Sequence, residues 1–413
     1  MSAPKVRVKQ GVVRGSEETL PDGWSFLRFS GIPYAKPPIN EFRFRENLNK
    51  KFAVMVYIHG GRFRYDLATK DLYSPEYLLM ENVKVVTINS QQHIIGYFSL
   101  PSKGISGNAS LKDQQMALEW IHENIASFNG DPNKIYSSGA RTLWRFIIED
   151  ESEDAFITES SIESMISQAG KINFPIVYGS NDGDGMPSIA QYISRKNLAK
   201  VNQNLGNLIP NSLVAQLGDN KNAFTEEMRR FYFNVRVLTE EKYPEINILS
   251  LDLYYFLTQT ITNELTARYQ PGCKQFLYEF QFDGKLNIQK SLIKLEHMKG
   301  ACHADDIFYL FGGVLADKVQ LTKDSREWKM RGLMCKLWTN FAKYHDPTPD
   351  HDNPLNFKWT SVEPVSEAVN EVTLDYLIIN VEPKMVRKLY KDRMDFWRQA
   401  YRKYNREYIK TKL

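Results

Sequence analysis

Val54-Met55-Val56-Tyr57-Ile58-His59-Gly60-Gly61-Arg62-Phe63 decides how the rest of this chain is read. Its first five residues are apolar, as in a strand covered on both faces inside a parallel sheet. The strand runs into His59-Gly60-Gly61, where two residues without side chains leave backbone N–H groups open to an anion. A cradle of this kind receives the oxyanion of an acyl-transfer reaction. Such a site also needs a nucleophile, presented on a Gly-x-Ser-x-Gly turn between a strand and a helix. No Gly-x-Ser-x-Gly occurs among the 413 residues.

The surrounding pattern extends the reading. Val6 to Arg14 predicts a small hairpin, Trp24 to Phe29 a strand and Lys84 to Asn89 a further buried strand. Between Ser110 and Phe128 the period becomes helical, with Leu111, Leu118, Ile121, Ile125 and Phe128 on one face. Ser110-Leu111-Lys112-Asp113 is expected to form a capping box, and Asn129-Gly130-Asp131-Pro132 to stop the helix. Lys134 to Ser137 starts another strand. Phe174 to Tyr178 is expected as a strand closed by a turn over 179–185, and Gln275 to Phe282 as one more. Strands alternating with helices throughout predict one α/β domain over 1–413.

Hydrophobic residues at 42% and charged residues at 25% are those of an ordinary globular chain. No apolar run reaches the roughly 18 residues of a membrane span. The start, Met1-Ser2-Ala3-Pro4, has no signal-like apolar segment, so a cytoplasmic location is expected. Cys273, Cys302 and Cys335 suggest no disulfide framework. The net charge of +4 is uneven: residues 384–413 hold eleven Lys/Arg against three Asp/Glu. Within that tail Tyr390, Met394, Trp397, Tyr401, Tyr404 and Tyr408 recur at helical spacing. Docking of this stripe on the body is favoured over a nucleic-acid or membrane surface.

An ordered series of short motifs runs through the chain. It comprises 31–38 (Gly-Ile-Pro-Tyr-Ala-Lys-Pro-Pro), His59-Gly60-Gly61, 85–89 (Val-Val-Thr-Ile-Asn), Gly107-Asn108, 111–115 (Leu-Lys-Asp-Gln-Gln), 128–132 (Phe-Asn-Gly-Asp-Pro), Gly183-Asp184-Gly185 and 300–306 (Gly-Ala-Cys-His-Ala-Asp-Asp). The series resembles the type-B carboxylesterase family. Pro271-Gly272-Cys273-Lys274 and 278–284 look most like its intracellular insect members. The resemblance implies an α/β-hydrolase fold, here abridged: a mixed, mainly parallel sheet flanked by helices. It implies hydrolysis of carboxylic esters by a serine, a histidine and an acid, in the chain order serine, acid, histidine, with no metal or organic cofactor. The expected partner is a lipophilic ester or related small molecule, not nucleic acid. Oligomeric state is left open.

His303 matches the family's base; the alternative is a loop histidine bonding Asp305 and Asp306. Metal binding by these three is the least favoured reading, because adjacent residues rarely converge on one ion. Asp184 matches the acid, where the family most often has glutamate; the alternative is a surface turn. Gly60 and Gly61 match the oxyanion cradle, and Arg62 stands where the family has a third glycine. Its guanidinium attracts an anion, obstructs the acyl pocket or points to solvent. Ser138 is the nearest candidate nucleophile, with Ser137 behind it. Ser138 lacks the glycine two positions earlier and the helix that follows the family's serine.

Family segments are expected to be missing near 46–52 and 138–144, the second taking the nucleophile turn and its helix. The expectation is therefore a carboxylesterase-type protein with impaired catalysis. The alternative is a non-catalytic module that binds lipophilic ligands or a protein partner.

Overall fold

The computed structural model describes residues 3–19, 25–32, 51–61, 68–92, 96–103, 107–139, 149, 155–194, 198–351, 355–366, 369 and 371–404. They fall into two compact units: Met1–Ser160 with Leu310–Lys318 and Gly332–Asp352, and Ser161–Tyr309 with Val319–Arg331 and Asn353–Leu413.

In the first unit, β1 (Lys5–Val8) and β2 (Gly11–Arg14) form the expected hairpin, and β3 (Ser16–Thr19) pairs antiparallel with β4 (Ser25–Arg28). β5 (Phe52–Ile58) lies between parallel neighbours β6 (Lys84–Ile88) and β7 (Gly130–Gly139). Ala53 through Tyr57 are all buried, as a middle strand requires. The helix Ala109–Asn124 tightens into a 3-10 turn, Ile125–Phe128, and stops at Asn129 with φ 62°. Ala117, Ile121 and Ile125 pack on Val54, Val56 and Ile88.

The capping box does not form. The helix begins before Ser110, whose buried hydroxyl lies 3.1 Å from that of Ser90. Asp113 instead accepts the Gln91 N–H at 2.8 Å. A tertiary partner for Ser110 removes its need to bond the helix's own backbone.

In the second unit, β8 (Ile176–Asn181), β9 (Gln275–Phe280) and β10 (Asp375–Ile379) run parallel, and β11 (Lys384–Arg387) closes the edge antiparallel to β10. All six residues of β9 are buried. β8 departs from expectation. It starts after Pro175, leaves Phe174 exposed, and continues through Gly179-Ser180-Asn181 rather than turning there. Gly179 sits against the Tyr278 ring so closely that a Cβ would fall 1.9 Å from it. The glycine serves this close approach of strand to ring, and the turn follows three residues later, from Asp182.

The basic C-terminal helix, Lys391–Tyr404, docks its stripe: Met394, Trp397, Ala400 and Tyr401 are buried in the unit's core. Tyr408 lies outside the described residues. Arg393 forms a fork onto Asp252, Tyr232 donates to the same carboxylate at 2.7 Å, and Trp397 Nε1 donates to the Tyr232 hydroxyl at 2.7 Å. Asp252 opens a π-helical turn, Asp252–Phe256, between the helices Tyr243–Leu251 and Leu257–Tyr269. No described helix is long and apolar enough to cross a membrane.

Candidate active site

Parallel strands present their carboxyl ends together, and ligands of α/β sheets gather there. In the first unit β5 ends at Ile58, opposite Gly139 of β7, with Ser138 opposite Tyr57. The His59-Gly60-Gly61 turn follows directly. His59 is buried, and its Nδ1 lies 3.1 Å from the Gly60 carbonyl, a distance at which the ring N–H donates. Gly61 has φ 87°, a left-handed value that a side chain resists. Arg62 lies outside the described residues. Ser138 is a half-buried rung of the β7 ladder and Ser137 an exposed one. Neither stands on a tight turn between strand and helix; residues 140–148 lie outside the described set.

In the second unit the structure brings His303 and Asp184 together. His303 Nδ1 lies 3.1 Å from Asp184 Oδ1, so aspartate spans the gap despite its shorter stem. Asp184 is buried, not a surface turn, and its Oδ2 accepts the Asn181 N–H at 3.1 Å. Two further links fasten its turn to the histidine loop. Gly183 N–H donates to the Ala301 carbonyl at 2.8 Å, and the Asn181 amide donates to the Cys302 carbonyl at 2.6 Å.

The acidic neighbours of His303 have other work. Asp305 accepts N–H groups from Gln289, Lys290 and Cys302. Burial pushes its carboxyl up to about 8 despite these donors. Asp306 accepts from the Tyr278 hydroxyl at 3.0 Å and the Asn181 amide; burial, with the Asp184 charge behind it, raises its pKa. Asp182 accepts the Ala301 N–H at 2.8 Å and is pushed up to about 6, again chiefly by burial. Cys302 is no stand-in nucleophile: burial raises its thiol far above the range where thiolate forms at neutral pH.

One contact escaped sequence reasoning. The Tyr255 ring lies 4.9 Å from that of His303, tilted by 40°. Tyr255 belongs to the π-helical turn, a widening of one turn that helical periodicity does not reveal.

Chemically, a carboxylate on Nδ1 selects the tautomer that leaves Nε2 as the proton acceptor and stabilises the imidazolium once formed. The pair is therefore equipped as a general base with its orienting acid.

The model of the Carboxylesterase family matches residues 2–49, 45–142 and 138–397. The chain belongs to the carboxylesterase family. Juvenile hormone esterase of Tribolium castaneum is 23% identical over 96% of this chain and 93% of its own. Esterase B1 of Culex pipiens is 29% identical over 37% of this chain and 38% of its own. The crystal structure of juvenile hormone esterase from Manduca sexta, with OTFP covalently attached, superposes with a TM-score of 0.77 at 20% identity, over 97% of this chain and 100% of that one, and shows the α/β-hydrolase fold. The Tribolium alignment spans 561 positions against 413 residues here, so at least 148 of its positions hold no residue of this chain. Successive matched family segments meet at 45–49 and 138–142.

Proposed function

We propose that this carboxylesterase-family chain keeps the base and acid of an ester hydrolase and is impaired in hydrolysis for want of a nucleophile. The carrying observation is the contrast between a formed His303–Asp184 pair and the place where the serine turn is due. There the chain reads Tyr136-Ser137-Ser138-Gly139-Ala140, with no Gly-x-Ser-x-Gly. Ser138 is a paired strand residue, and two matched family segments meet at that point. A serine held as a paired strand rung is not presented as the family's serine is, on a tight turn at a helix N-terminus that supplies a dipole and an oxyanion donor. The ligand class that fits the family is a lipophilic carboxylic ester.

The test is the purified chain with a p-nitrophenyl ester and a fluorophosphonate probe, read by absorbance and intact mass. Turnover at the background rate and no added mass are expected. Saturable turnover with one probe bound per chain overturns the reading. A second reading, ligand binding without hydrolysis, is supported by the same contrast. A rise in melting temperature with a non-hydrolysed ether analogue, saturating with concentration, is its signature.

A further inference from the structure

A cavity of about 1740 Å³ opens within the first unit, and neither His303 nor Asp184 lines it. Ordinary small-molecule pockets hold roughly 300–1,000 Å³, so this one has room for a long, bulky guest. Val86 and Ile88 of β6 line it together with Trp120, Ile121, Ile125 and Phe128. Ile32 and Phe52 line it as well, and residues 33–50 between them lie outside the described residues.

Its charge is one-sided. The charged residues among the described lining are Lys5, Arg7, Arg28, Lys70 and Lys84, against Glu17 alone. Arg28 and Lys70 are both satisfied by Glu18. Lys84 is different. It is half-buried at the start of β6, its ammonium lies 4.9 Å from the centroid of the Phe52 ring, and no carboxylate among the described residues pairs with it. Burial lowers its pKa, the mark of a cation that has lost water. A partly desolvated ammonium, unpaired among the described residues, in a chamber whose walls are part apolar and part polar is complementary to an amphiphile with one negative end.

We propose that this cavity binds a long-chain fatty acid anion, its carboxylate on Lys84 and its hydrocarbon chain along β6 and the face of the helix Ala109–Asn124. The proposal is independent of ester turnover, because the site shares no residue with the His303–Asp184 pair and the readout is binding.

The full chain is titrated by calorimetry with palmitate below its micellar concentration, and in parallel with 1-hexadecanol. Saturable binding of palmitate is expected, tighter than the alcohol by about tenfold, the worth of one charge-assisted contact. Lys84→Met, which keeps the apolar stem, is expected to remove that preference, and Lys84→Arg to keep it. Unchanged melting temperatures establish that both variants are folded. No saturable palmitate binding, the result if the chain's own residues fill the space, overturns the proposal. So does a preference for acid over alcohol that survives in Lys84→Met.

Discussion

The loop around His303 and the end of β7 are the two places where this family's chemistry should sit, and they are built differently. Around His303, Asp182, Asp184, Asp305 and Asp306 each accept at least one hydrogen bond from a neighbouring strand or loop. The end of β7 carries its serines as plain rungs of a ladder. The difference teaches how a histidine–aspartate pair can be held in place independently of what stands at the end of β7. Carboxylates that satisfy buried N–H groups are held in place by folding itself, whatever happens to the serine. A formed histidine–aspartate pair is therefore evidence of fold before it is evidence of catalysis.

The comparison breaks most violently at Asp305. Replacing it with alanine strands the N–H groups of Gln289, Lys290 and Cys302. Two buried donors and one part-buried donor, at roughly 1–3 kcal/mol for each buried one, set a loss of about 3 kcal/mol. Thermal unfolding of Asp305→Ala should show it, while Ser137→Ala stays near wild type. A shift of only a degree or two for Asp305→Ala would show that the loop is not held by these bonds.

Acidity sharpens the same point. Burial pushes the Glu279 carboxyl up to about 7 from an ordinary 4.5, against the pull of Gln281 and Tyr390. The folded state therefore keeps a proton that the unfolded chain has released. Stability is greatest below about 4.5 and falls as pH rises to about 7, by on the order of 2–3 kcal/mol from this group. Asp182, raised to about 6, adds a loss of the same sign at lower pH. Melting temperature measured across this range should fall less steeply in Glu279→Gln; an identical slope would place the sensitivity elsewhere.

Gly179→Ala comes next. Its new methyl meets the Tyr278 ring, whose hydroxyl holds Asp306, so β8 and β9 must part or the ring must swing. Overpacking of this kind costs roughly 1–3 kcal/mol. Chemical denaturation midpoints measure it, and a neutral result would mean that the ring moves freely.

Gly179 also marks where the sequence stops being legible. The strands β5 and β6 and the helix Ala109–Asn124 follow from apolar patterning, which burial enforces directly. The pairing of His303 with Asp184 was legible through the family resemblance of their motifs, and the docked aromatic stripe at Met394, Trp397 and Tyr401 through spacing. The composition Gly-Ser-Asn-Asp-Gly over 179–183 is turn chemistry, yet three of those residues extend a strand because a distant tyrosine needs the room. Ser110 fails as a cap because Ser90, twenty residues earlier, takes its hydroxyl. The Tyr255–His303 contact depends on a π-helical turn whose Asp252 is gripped by Arg393 from the last helix. Each of these outcomes was set by a partner far along the chain, which no local window contains.

The smallest expected effect is the most discriminating. Ser138→Ala removes one hydroxyl from a half-buried strand rung. Away from caps, cores and buried networks such changes stay within about 0.5 kcal/mol. Fluorophosphonate labelling, followed by peptide mass, should be absent in the wild type and in the variant alike. The argument turns on geometry: a ladder residue faces its neighbours across the sheet, whereas an activated serine must stand on a turn with its hydroxyl toward a base. If wild type labels at Ser138 and the variant loses the label, β7 carries a working nucleophile after all. The contrast drawn between the two regions would then fail.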